Sequence, residues 1–260
     1  PAKWRATPAS SKFTSGKNTR SKVTALLTIN EIDVYYGDLK ALKNIRFQVN
    51  KGELVALVGS NGAGKTTLMN TIMGLIKPRK GTIEFNGENI DSLPPDQIVK
   101  KYISLVPESK MIFPQMSIYE NLLMGAYPSR CRKNLKQNLD GVYDMFPRLH
   151  ERRSQLAGTM SGGEIQMLII GRALMSEPQL LLVDELSIGL SPKLTHECFR
   201  ILERLHKERD ITILLAEQNI YEALDIADRG IVLENGEVVM TGGSEELLSN
   251  EHIKEAYLGI

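Results

Sequence analysis

The 260-residue chain is 42% hydrophobic and 24% charged with a formal net charge of +1, a balance that suits a globular protein with one sizeable core, or one core and a smaller appended lobe. Six of its 32 basic residues fall in the first 25 positions, where there is no acid, so the remainder carries 26 basic against 31 acidic side chains; a body of that sign argues against nucleic acid as a partner. No apolar run approaches the roughly 18 residues of a spanning helix, and Cys131 and Cys198, 67 positions apart without metal-ligand spacing, point to a reduced, cytosolic chain.

Residues 1–25 are basic, rich in Ser and Thr, and interrupted by Pro8 and Gly16. They are expected to be a disordered arm or an expression-derived tail, with an organelle transit segment as the alternative. The folded domain is expected over 26–260. "LLTINEIDVYY" (26–36) alternates apolar and polar residues as a half-buried strand does, and "IRFQV" (45–49) repeats the pattern. "LVALV" (54–58) is apolar throughout, the mark of a strand covered on both faces. A glycine-rich turn follows, then a helix expected to place Leu68, Ile72, Leu75 and Ile76 on one side. "TIEFNGENI" (82–90) and "IVLENGEVVM" (231–240) each set Asn-Gly between short β runs, a strong hairpin signal.

From 109 to 157 strand signals fade, and a basic cluster of Arg130, Arg132, Lys133 and Lys136 reads as a solvated face. With the next helix, "SGGEIQMLIIGRALM", this stretch is expected to form an inserted helical subdomain over about 109–175. The buried strand "LLLVDE" (180–185) comes next, then a helix opened by Ser191-Pro192, the buried strand "ITILLAE", and a helix over 219–228. Strands alternating with helices imply a mostly parallel sheet between helical layers. The fold class expected is α/β: a P-loop NTPase core, an antiparallel N-terminal β subdomain and the helical insertion.

Three motifs carry chemistry. Gly59-Ser60-Asn61-Gly62-Ala63-Gly64-Lys65-Thr66 fits G-x-x-x-x-G-K-[ST] between a buried strand and a helix. Its glycines let backbone N–H groups converge on phosphate oxygens at the positive end of that helix; Lys65 can reach the β- and γ-phosphates, and the Thr66 hydroxyl can bind Mg²⁺. Asp184 and Glu185 end the second buried strand, beyond which ligands of open α/β sheets bind. An Asp there can hold the Mg²⁺ shell and the adjacent Glu can deprotonate a water. In "TMSGGE" (159–164), Ser161 and Glu164 form a capping box, yet Gly162 and Gly163 weaken the first helical turn by roughly 1 kcal/mol each. Such exposed amides suit a closely approaching anion.

With these motifs in order, residues from about 27 to 260 resemble the ATP-binding subunits of ABC transporters. The resemblance implies MgATP hydrolysis, a head-to-tail pair with a second ABC ATPase (the same chain or a related one), and membrane permease partners at the cytoplasmic face of the inner membrane. It implies that Ser161, Gly162 and Gly163 contact the partner subunit's ATP, that Tyr36 stacks on adenine, and that Thr67 joins the phosphate loop. "LVPES", "AGTMSGGE", "IGRALM", "LLAEQN" and the ending "EAYLG" are similar to the LivF type, which serves branched-chain amino-acid uptake. Glu108 and Gln218 stand where most ABC ATPases have Gln and His; Glu108 is then expected near Mg²⁺, through water, and Gln218 near the attacking water. Leu186 replaces the usual Pro, Ile165 the usual Gln, and Ser109 the subgroup's usual Gly. The rival readings are a non-transport ABC protein, which normally brings a coiled-coil insertion or two P-loop domains, and a nucleotide-dependent binding subunit with little hydrolysis, which Glu185 opposes.

Overall fold

The computed structural model describes residues 25–109 and 111–254. The tail expected over 1–25 lies outside them except for Ala25, and so does "EAYLG" at 255–259. The first hairpin is β1 (Ala25–Tyr36) and β2 (Leu39–Asn50). Strand β3 (Leu54–Val58) leads through the glycine-rich loop into α1 (Lys65–Ile72). Next come β4 (Lys80–Phe85), β5 (Glu88–Asn89), α2 (Pro95–Lys100) and β6 (Ile103–Val106). The helical stretch contains α3 (Ile118–Gly125), α4 (Ser129–Lys133), α5 (Leu135–Met145), α6 (Pro147–Glu151) and α7 (Gly162–Leu174). The chain continues with β7 (Leu180–Asp184), α8 (Pro192–Arg209), β8 (Thr212–Glu217), α9 (Ile220–Ile226), β9 (Arg229–Glu234), β10 (Glu237–Gly243) and α10 (Ser244–Ser249).

Two sheets result, an antiparallel one ordered β2-β1-β4-β5 and a six-stranded one ordered β10-β9-β3-β8-β7-β6. In the second, only the β9–β10 pairing is antiparallel. Side-chain alternation divides its central strands between two cores. Leu54, Ala56 and Val58 of β3, Leu181 and Val183 of β7, and Ile213 and Leu215 of β8 face α7, α8, α9 and the helical stretch. Val55, Leu57, Leu180, Leu182, Leu214 and Ala216 face α1 and the antiparallel sheet. Apart from Thr212, the first residue of β8, these strands contain no polar position before their C-terminal ends. Both Asn-Gly turns take left-handed backbone at both central residues, with φ of 53° and 75° at Asn86-Gly87 and 48° and 78° at Asn235-Gly236, the type I′ geometry that matches strand twist.

Two expectations need correction. Helix α1 stops at Ile72, and Gly74 turns the chain at φ 71°; a Cβ there would come within 2.4 Å of the Leu93 carbonyl oxygen. Leu75 is thus not on the helix and is 61% exposed. The basic cluster is also not uniformly solvated. Arg132, Lys133 and Lys136 are exposed, but Arg130 turns inward. It donates to the carbonyls of Lys100 (3.0 Å), Val99 (3.2 Å) and Ser176 (2.9 Å), and its guanidinium sits 3.8 Å from the centre of the Tyr102 ring. These contacts pin α4 to the end of α2, to the turn before β6 and to the segment after α7.

Hydrogen bonds from a charged donor contribute about 1.5–3 kcal/mol each when buried and less when solvent reaches them. Arg130→Met is expected to lower the free energy of unfolding in urea by about 2 kcal/mol, whereas Arg132→Met is expected to change it by no more than about 0.5 kcal/mol. Equal effects would contradict the docked role of Arg130.

Candidate active site

The C-terminal ends of β3, β8, β7 and β6 lie side by side because their registers align: Val58 pairs with Glu217, Asp184 with Ala216, and Val106 with Val183. All four chains leave the sheet at one edge, and the polar residues expected there converge on that edge.

From β3 the loop 59–64 bends back against β9. A Cβ on Gly59 would lie 2.2 Å from the Leu233 carbonyl oxygen, so only glycine fits. Gly62 and Gly64 have φ of 82° and 110°, and Ala63 N–H donates to the Ser60 carbonyl at 3.1 Å to close the turn. Ser60 and Asn61 are exposed on this loop. Helix α1 begins with no side-chain cap and no acid in its first turn, leaving its dipole end open to an anion. Lys65, 3% exposed, donates to the carbonyls of Gly59 (2.9 Å) and Ser60 (3.0 Å). Its third partner is Glu185, whose Oε1 lies 3.1 Å from Nζ.

The Thr66 hydroxyl donates to Asp184 Oδ1 at 3.3 Å. A hydroxyl beside a carboxylate is the hard-oxygen donor pair that Mg²⁺ prefers, so the residues present fit the ion. Burial pushes the Asp184 carboxyl up to about 6; the Thr66 hydrogen bond and the Lys65 charge oppose this, while the charges of Glu185 and Glu108 add to it. Glu108 itself is exposed, just beyond β6 and Pro107. Glu185 has left-handed backbone, φ 47°, and its N–H donates to the Ala216 carbonyl at 2.9 Å. Leu186 follows Glu185 in this turn. The Leu186 side chain is 1% exposed, within the core.

The other expected residues lie further out. Tyr36, half-exposed at the end of β1, reaches α1, its hydroxyl 3.4 Å from Thr67 Oγ1. Arg79 fastens the turn after it, donating to the Gly37 carbonyl at 2.5 Å with its guanidinium 4.4 Å from the Tyr35 ring centre. Gln218 is exposed, one residue beyond β8. Ser161, Gly162 and Gly163 sit at the start of α7, and among the described residues no hydrogen bond or ion pair joins them to the 59–66 loop. There the Ser161 hydroxyl donates to Glu164 Oε2 at 2.8 Å and accepts from Glu164 N–H at 3.4 Å, with Arg152 3.1 Å from Glu164 Oε1. A Cβ on Gly163 would press on the Leu194 side chain at 2.8 Å.

Comparison with known proteins identifies the family. The profile of the "ABC transporter" family matches residues 42–187. The chain belongs to the ABC transporter family. Over 234 residues it is 45% identical to the high-affinity branched-chain amino acid transport ATP-binding protein BraG of Pseudomonas aeruginosa, covering 90% of this chain and all of BraG. It is 35% identical to a probable branched-chain amino acid transport ATP-binding protein, LivF, of Archaeoglobus fulgidus, over 90% of this chain and 99% of that one. Among solved structures it is similar to the ABC cassette MJ1267 in its ADP conformation, with 27% identity and a TM-score of 0.78, over 91% of this chain and 100% of that one. The chain is thus an ABC ATPase, with the α/β architecture of that family.

One buried group of this ABC ATPase escaped the sequence reading. Glu217, fully buried at the end of β8, accepts from Ser187 N–H (3.1 Å) and from the Ser187 hydroxyl (2.9 Å). Burial pushes its carboxyl up to about 7; the Ser187 hydrogen bonds oppose this and the Glu185 charge adds to it. Its local signal is an acid that closes the buried strand "ITILLAE", but its partner Ser187 lies 30 positions away.

A carboxyl whose folded pKa is raised binds more protons folded than unfolded. Its favourable contribution is complete below the unfolded pKa, near 4, and is lost as pH rises through the folded value, here about 6 for Asp184. In buffer without nucleotide or magnesium, Asp184→Asn is therefore expected to be more stable than the parent at pH 8 by about 2 kcal/mol. The gain should shrink towards zero near pH 4. Urea unfolding across that range checks it, and a gain independent of pH would contradict the raised pKa.

Proposed function

We propose that this chain is the ATP-hydrolysing subunit of an importer of branched-chain or related amino acids. It pairs with a second ABC ATPase, the same chain or a related one, and docks on permease subunits at the cytoplasmic face of the membrane. The observation that carries the ATPase reading is the pairing of consecutive residues across the C-terminal edge of the six-stranded sheet, Lys65 with Glu185 and Thr66 with Asp184. The cargo rests on the names of BraG and LivF.

In this reading the N–H groups of residues 59–67 and the Lys65 ammonium bind the phosphates, and Tyr36 stacks on adenine. Thr66 and Asp184, with Glu108 through water, would hold Mg²⁺, which would supply neutralisation of phosphate charge. Glu185 takes a proton from the water that attacks the γ-phosphorus, and Gln218, which can both donate and accept, orients that water. Ser161, Gly162 and Gly163 serve the partner's nucleotide, so the Ser161 hydroxyl turns from Glu164 to phosphate as the pair closes. Arg152 remains as the counter-charge for Glu164.

The membrane partner has a suitable surface. No helix among the described residues is long and apolar enough to cross a membrane. A groove of about 530 Å³ opens between β6 and the helical stretch, lined by Met111, Phe113, Met124, Tyr127 and Arg172 among others. Met111, Phe113, Met124 and Tyr127 are each 44% or more exposed, a cluster of large apolar side chains that marks a protein contact. It begins three residues beyond Glu108, so the proposed permease contact lies next to the phosphate edge.

The test is reconstitution with the membrane subunits that co-purify with the chain. ATP-driven uptake of labelled leucine is expected, and it should fall to background with Glu185→Gln. Phe113→Asp is expected to abolish co-purification while changing ATP affinity less than about twofold, because a buried charge at a contact costs several kcal/mol. ATP-dependent uptake of a different solute without leucine would overturn the cargo, and undiminished co-purification would overturn the docking face.

A further inference from the structure

Glu217 touches none of the groups assigned above to nucleotide, metal or water, yet it is fully buried and both of its oxygens are engaged. The chain it engages is the one that leaves β7. After Asp184 pairs with Ala216 in register, Glu185 N–H donates to the Ala216 carbonyl at 2.9 Å and extends the ladder by one residue. Glu185 then takes φ 47°, a conformation that is disfavoured for a non-glycine residue and persists only where its surroundings enforce it. Two residues on, Ser187 is clasped through both its N–H and its hydroxyl by Glu217. Glu185 is thus fastened to β8 on either side, by a backbone bond before it and a side-chain clasp after it. Its carboxylate reaches Lys65 from that fixed backbone.

We propose that Glu217 is a positioning residue for ATP hydrolysis: by clasping Ser187 it holds Glu185 in its left-handed conformation and ties the 186–191 loop to the strand end that carries Gln218. The clasp needs an acceptor for the Ser187 N–H and a group that can bond the Ser187 hydroxyl. Glutamine supplies both through its carbonyl oxygen and its amide, whereas alanine supplies neither.

Steady-state hydrolysis by the purified chain with its ATPase partner tests this. Glu217→Ala is expected to lower kcat about tenfold with KM for ATP changed less than about twofold, since a small displacement of a reacting group has effects of that order. Glu217→Gln should recover at least about half of the parent kcat. Ser187→Ala, which removes one hydroxyl from a half-buried site, should lower kcat about threefold, and combined with Glu217→Ala it should add nothing further. In the Glu185→Gln background, Glu217→Ala should leave the residual single-turnover rate unchanged, because the base it positions is already gone. A parent kcat in Ser187→Ala would overturn the proposal even if Glu217→Ala fails to fold. Multiplicative losses in the double variant, or a further loss on top of Glu185→Gln, would also overturn it, since both denote a general packing role.

Discussion

The site depends on how one buried cation is compensated. Lys65 is almost wholly removed from water, and an ammonium in such a place must be surrounded by acceptors. Here they are the Gly59 and Ser60 carbonyls, at 2.9 and 3.0 Å, and the Glu185 carboxylate at 3.1 Å. The loop carbonyls set the ammonium's direction, and Glu185 balances its charge. A phosphate oxygen has the same charge and seeks the same donor, so under the proposed function nucleotide and Glu185 would compete for Lys65, and binding would release the carboxylate proposed as the base.

That arrangement follows from the sheet. Strands with both faces buried can carry polar side chains only at their ends, and the registers of β3, β7 and β8 bring those ends to one edge. The two cores on either side, one beneath the antiparallel sheet and α1, the other beneath α7, α8 and α9, fix that edge from both faces. Leu186 belongs to this framework. By burying its side chain it anchors the turn at Glu185 in the core.

Most of the framework was legible in the sequence because its signals are local. Largely apolar runs marked β3, β7 and β8, Asn-Gly marked both type I′ turns, and Ser161 with Glu164 marked a capping box whose reciprocal bonds are present. The glycine-rich loop could be placed from spacing alone. What was not legible depends on partners distant in sequence. Arg130 looked like one of four surface cations, and its three carbonyl partners lie 30, 31 and 46 positions away. Glu217 is explained by Ser187, 30 positions away. Helix α1 was read too long because Leu75 and Ile76 continued its periodicity, while the close approach of Leu93 that requires Gly74 has no local signature.

The competition for Lys65 is the central claim, and the calorimetric affinity for MgADP tests it most directly, since ADP offers phosphate to Lys65 without hydrolysis complicating the titration. Glu185→Gln removes the competing charge while keeping the shape of the side chain. A charge-assisted contact is worth about 1.5–3 kcal/mol where it is buried, and part of it survives as a neutral hydrogen bond. Glu185→Gln is therefore predicted to bind MgADP about three- to tenfold more tightly than the parent. Equal or weaker binding would contradict the account, because it would mean that Glu185 does not engage Lys65 in solution.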